Sequence, residues 1–130
     1  MSLILTPVSF GEVLDKITIL EIKSEQIKDT EKLLNVKNEL QKLLDTWTES
    51  VERTEQIDNL KSELLDVNQR IWDIEDKIRL KESRQEFDQE FIETARSVYF
   101  QNDKRADIKK QVNSLLGSEL VEEKSYEDYS

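Results

Sequence analysis

Apolar residues recur at steps of three and four along most of this chain, the period of one helix face rather than the alternation of a strand. The cleanest run is Ile57, Leu60, Leu64, Val67, Ile71, Ile74 and Ile78, which follows the a and d positions of a heptad repeat and predicts a coiled-coil-like seam. Upstream, Leu33, Val36, Leu40, Leu43 and Trp47 form a second stripe that Asp29-Thr30 caps and that ends near Ser50. The polar stretch 48–54 reads as a turn, although no glycine or proline enforces one and a helix continuing through it stays open.

The first helix opens at Ser9-Phe10-Gly11-Glu12, a capping box in which the hydroxyl and the carboxylate each satisfy an orphan amide, and extends to about Lys28. Phe10, Val13, Leu14, Ile17, Leu20 and Ile27 share its main stripe, while Ile19 and Ile22 lie on another side. Apolar residues on two sides predict cover from more than one neighbour, and so a central helix. After a lapse at Lys81–Gln85, Phe87, Phe91, Val98, Ile108, Val112 and Leu115 give a fourth stripe ending at Gly117, a C′ residue; whether it is unbroken at Asn102 stays open. Acids in its first turns (Glu86, Asp88, Glu90, Glu93) and bases later (Lys104, Arg105, Lys109, Lys110) complement a helix dipole.

The fold expected is an all-α antiparallel bundle of about four long amphipathic helices with coiled-coil-like packing, one domain over 1–117. An extended apolar arm at residues 3–8 precedes it, and an acidic tail at 118–130, five acids against one lysine, follows it. A solvated tail is the default reading, with its tyrosines and Leu120-Val121 free to dock on the bundle. The regular heptad run, in a chain only 36% apolar and 37% charged, predicts a homodimer closed through the third-helix seam.

Composition narrows the chemistry. The 130 residues include no cysteine and no histidine, which removes thiolate chemistry, the commonest general base and the commonest transition-metal ligand. No cofactor is expected; under an enzymatic reading, carboxylates would suit magnesium or manganese. The start lacks a cationic leader and no stretch approaches the ~18 apolar residues of a membrane span, so a cytoplasmic, membrane-free protein is expected. A net charge of −10 repels phosphate backbones, and the one local basic run, Lys104, Arg105, Lys109 and Lys110, is interrupted by acids, so direct nucleic-acid binding is not expected.

Polar residues that the period places on apolar stripes are the candidates for function. Glu21 falls between Phe10 and Leu14 on the first helix, and Asn102 and Arg105 share the stripe of Phe91 and Val98. Asn68 and Glu75 flank the third-helix seam, with Asp76 and Arg79 beside them. One reading is a set of paired charges that fix helix register; the sharper one is an inter-helix site in which Glu21, Glu75, Asp76 and Asp103 hold a divalent cation while Arg79, Arg96 or Arg105 bind an anionic group. Trp47, Trp72, Tyr99 and Phe100 read as core packing rather than a stacking platform. Glu12-x-x-Asp15 and Glu90-x-x-Glu93 invite comparison with all-α nucleotide pyrophosphohydrolases, but the second acidic motif those enzymes need is missing, since Asp103 is followed three residues later by Ala106.

Several blocks resemble a family of small bacterial and phage proteins catalogued as a domain of unknown function. They are Ser9–Glu12 with Asp15–Lys23, Asn68 with Trp72–Arg79, Ala95–Tyr99 with Asn102, Asp103 and Arg105, and the tail residues Gly117-Ser118 and Glu122–Tyr126. The resemblance brings no activity, but its pattern includes Glu21, Glu75, Asp76, Arg79, Asn102 and Arg105, which adds weight to a shared polar site. The function expected is a non-enzymatic protein-interaction or regulatory module with a protein partner or a second copy. The alternative is a divalent-metal-dependent enzyme or a binder of a phosphorylated small molecule or nucleotide.

Overall fold

The computed structural model describes residues 2–129; Met1 and Ser130, the ends of the expected domain and tail, lie outside them. Four helices follow in order: α1 (Phe10–Gln26), α2 (Thr30–Ser50), α3 (Glu55–Ser83) and α4 (Gln89–Leu116). No strand occurs among the described residues, and α4 is unbroken through Asn102. None of the helices is long and apolar enough to cross a membrane.

Side-chain caps set the boundaries. Ser9 Oγ accepts from Glu12 N at 3.2 Å, Asp29 Oδ1 from Lys32 N at 2.9 Å, Thr54 Oγ1 from Ile57 N at 3.2 Å, and Asp88 Oδ1 from Phe91 N at 2.9 Å. Only the hydroxyl half of the expected capping box forms, because the Glu12 carboxylate accepts from Lys109 instead. α1 stops two residues short of the expected Lys28, where Ile27 turns extended. Residues 51–54 break the chain between α2 and α3, and the turn after α3 puts Gln85 at φ 54°, a left-handed conformation that costs a non-glycine residue about 1 kcal/mol. Gly117 closes α4 in the same left-handed region at φ 64°, as its place after the last stripe residue predicts.

α1 is the central helix: it packs against each of the other three, while α3 and α4 pair as a long hairpin and α2 lies against α1 alone. The core joins Leu14, Leu64, Val67, Ile108 and Val112, with Phe10, Trp47, Leu60, Ile71 and Leu116 at its edge. Trp47 meets Phe10 edge-on at 6.3 Å, which ties the end of α2 to the start of α1. Within one chain, Ile57, Leu64 and Val67 of the third-helix seam are buried and the rest are half-buried, with α1 and α4 packed against α3.

Candidate functional site

The polar centre of the molecule is Asp15, 1% exposed, which the sequence reading did not place in the site. On α1 it shares a side with Gly11, Thr18 and Ile22, at steps of four, three and four. Three groups answer its carboxylate and its neighbour Thr18. Arg105 clamps it with two parallel N–H donations, Nε to Oδ1 at 2.9 Å and Nη2 to Oδ2. Asn68 Nδ2 donates to Asp15 Oδ1 at 2.9 Å and to Thr18 Oγ1 at 2.8 Å, and Lys109 Nζ lies 3.9 Å from Oδ2. A buried carboxylate is tolerable only with this degree of pairing. The Asp15 bond holds the Arg105 guanidinium more firmly charged than usual, against its own burial.

Lys109 extends the network to the surface. Burial works against its charge, but hydrogen bonds to Glu12 at 2.8 Å and to Glu122 at 2.6 Å outweigh it and raise its pKa. Next to it the backbones of α1 and α4 nearly touch: a Cβ on Gly11 would fall 2.5 Å from the Lys109 carbonyl oxygen, and Gly11 N donates to Asn113 Oδ1 at 2.7 Å. The pairs Gly11–Asn113, Glu12–Lys109 and Asp15–Arg105 set α1 antiparallel to α4.

Where α1, α3 and α4 meet, an open groove of about 480 Å³ runs outward from this centre. Ile19, Ile22, Ile71 and Trp72 line it with apolar surface, buried Asn68 lies at its inner end, and Glu75, Asp76, Arg79 and Arg105 give it a rim of both charges. Four of the eight expected site residues, Glu75, Asp76, Arg79 and Arg105, are therefore together. Arg79 Nε pairs with Glu75 Oε2 at 3.3 Å.

The other four are elsewhere. Glu21 is half-buried beside Lys61, with Oε1 to Nζ at 3.0 Å. Arg96 Nε donates to Tyr99 Oη at 3.4 Å, Asp103 accepts from Tyr129 at 2.6 Å, and Asn102 is half-buried on α4. No three carboxylates converge to hold a metal ion among the described residues. Of the local basic run, Arg105 and Lys109 turn inward onto carboxylates, leaving Lys104 and Lys110 exposed. Tyr99 and Phe100 are 40% exposed each and pack against Tyr129 of the tail, outside the core where the sequence places them.

A family model matches residues 5–129, and it describes a family of unknown function (DUF6165). No curated protein and no solved structure matches the chain. The groove draws on three separate stretches that carry the family resemblance, 15–23, 68–79 and 95–105, which the fold brings to one place.

Proposed function

Because the chain belongs to DUF6165, a family whose description names no activity, we propose from its own geometry that it is a non-catalytic protein-interaction module. Its recognition surface is the groove between α1, α3 and α4. The observation that carries this reading is the groove's make-up, an apolar lining with a rim bearing both charges and open to solvent. A protein segment with one apolar anchor and flanking residues of both signs complements that surface, the anchor supplying most of the affinity and the rim the orientation. The charged groups are held by each other, Arg105 by Asp15 and Arg79 by Glu75, as in a surface that reads shape and charge rather than one that moves protons. A cytoplasmic partner, or a second copy of the chain, suits the absence of cysteine.

The test is affinity capture with the wild-type chain and with Asp76→Lys/Arg79→Glu, followed by titration of each captured protein in purified form. Binding by the wild type and at least tenfold weaker binding by the variant supports the groove. Equal affinities overturn it. Light scattering at micromolar concentration decides whether the partner is a second copy.

The second reading, a binder of a phosphorylated small molecule, rests on the two guanidiniums that share the groove. A thermal-unfolding panel of nucleotides and sugar phosphates, each with and without magnesium or manganese, tests it. A rise that Arg79→Met abolishes favours this reading over the first.

A further inference from the structure

Beyond Gly117 the chain folds back along α4. Ser118 N donates to Asn113 O at 2.8 Å, Glu122 Oε2 lies 2.6 Å from Lys109 Nζ, and Tyr129 O–H donates to Asp103 Oδ2 at 2.6 Å. The Tyr129 ring meets Tyr99 at a tilt and Phe100 edge-on, with centroids 5.0 and 4.9 Å apart. These anchors step back through Asn113, Lys109, Asp103 and Tyr99 as the tail advances, so the tail runs antiparallel to α4 and passes from its Lys109 side to its Tyr99 and Phe100 side. Residues 119–129 are all exposed and form no helix or strand.

Between the tail and α4, Tyr99, Asp103, Lys124, Tyr126 and Tyr129 bound a cavity of about 760 Å³.

We propose that this path over α4 is a recognition track for an extended acidic segment of a partner protein, and that the chain's own tail is its resident occupant. Lys109 reads a carboxylate, and Tyr99, Phe100 and Asp103 read a tyrosine, the two rings packing around its ring and the carboxylate accepting from its hydroxyl. The track does not need the tail to exist: with Glu122 lifted away, Lys109 keeps Glu12 at 2.8 Å and Asp15 at 3.9 Å. Charge complementarity with Lys109 selects an acidic occupant, and the burial of that ammonium makes the selection strong, because a desolvated charge gains more from a partner than a solvated one. Tethering gives the tail an effective concentration of order millimolar, so a partner must bind well enough to exceed that before it takes the track.

The test uses the full chain with Glu122→Ala/Tyr129→Ala, which unlatches the tail but leaves the bundle intact, and a labelled peptide of residues 118–130. The unlatched chain is expected to bind this peptide at least tenfold more tightly than the wild type does. Adding Tyr99→Ala, an exposed change, should abolish binding without altering the helical circular dichroism. No binding to the folded, unlatched chain, or binding that Tyr99→Ala leaves unchanged, overturns the track. The groove change Asp76→Lys is expected to have no effect on peptide binding, so failure here and failure of the groove reading are separate results.

Discussion

The middle of the molecule and the far end of its α3–α4 hairpin invert the usual rule of what is buried. Where α1 crosses the hairpin, Asp15, Thr18, Asn68, Lys109 and Asn113 are buried alongside Leu14, Leu64 and Val112. Toward the turn at residues 84–88, Leu80, Phe87 and Ile92 are about half exposed, and Lys81 and Thr94 are the buried residues. The cause is length. At ~1.5 Å per residue, the 17-residue α1 reaches about 26 Å and cannot cover hairpin helices of 29 and 28 residues, about 42–44 Å long. α2 lies on α1 and adds no cover there. Burial here follows how many helices meet at a place more than the polarity of the residue, and polar groups at the three-helix meeting point must be paired because they have no water.

The strongest way to break this comparison is Asp15→Ala. It leaves the Arg105 guanidinium and the Lys109 ammonium, largely withdrawn from solvent, without the carboxylate between them, and the expected loss is about 3 kcal/mol in urea unfolding. The matched change at the far end, Lys81→Met, removes an ammonium whose partners Glu86, Asp88 and Glu90 are exposed and rehydrate freely, so the global midpoint should hardly move. Equal losses in the two variants would show that the centre is no more dependent on its pairing than the periphery.

Gly11→Ala sharpens the same point at the backbone. The added methyl would lie 2.5 Å from the Lys109 carbonyl and 3.0 Å from Asn113 Oδ1, and a backbone atom cannot swing aside. α1 and α4 must separate, at roughly 1–3 kcal/mol for overpacking of this kind. Gly117→Ala meets nothing within 4 Å, and its strain at φ 64° is confined to the end of α4. Urea unfolding of the two variants should place Gly11→Ala well below Gly117→Ala; the reverse order would deny the close approach.

The helices were readable because their signals are local: four capping residues, a three-four period and a terminal glycine. The family, too, was readable, from blocks spread over most of the chain. The centre of the site was harder. Asp15 was visible only as half of an acidic i, i+3 pair, although its sharing of a helix side with Thr18 and Ile22, on the face for which a second neighbour was expected, is a signal that points to burial. Arg105 was found because it interrupts an apolar stripe, while its partner on α1 lies 90 positions away in sequence and no period connects them. Glu21 misled for the opposite reason: its wheel position is on the stripe, but near the end of α1 that stripe opens toward Lys61 and solvent.

The smallest expected effect is a pH response confined to the hairpin turn. Asp88 is held below the ordinary carboxylate range, first by the Phe91 amide it caps and then by Lys81, and Lys81 is held above its ordinary value chiefly by Asp88. A carboxylate with a depressed pKa contributes above its unfolded value and loses that contribution as pH falls through the folded one. A lysine with a raised pKa contributes below its unfolded value and loses it as pH rises through the folded one. The staple is therefore complete between about pH 4 and about pH 10 and fails on either side. Near pH 3, amides 84–92 should exchange faster relative to those of 64–68 than they do at pH 6, once the intrinsic pH dependence of exchange is removed. Lys81→Met, which retains the cap to Phe91 but not the ion pair, should already show most of that difference at pH 6. An unchanged ratio in both experiments would mean that the turn is held by its backbone alone, by the Glu86 and Gln85 amides bonded back to Lys81 and Glu82.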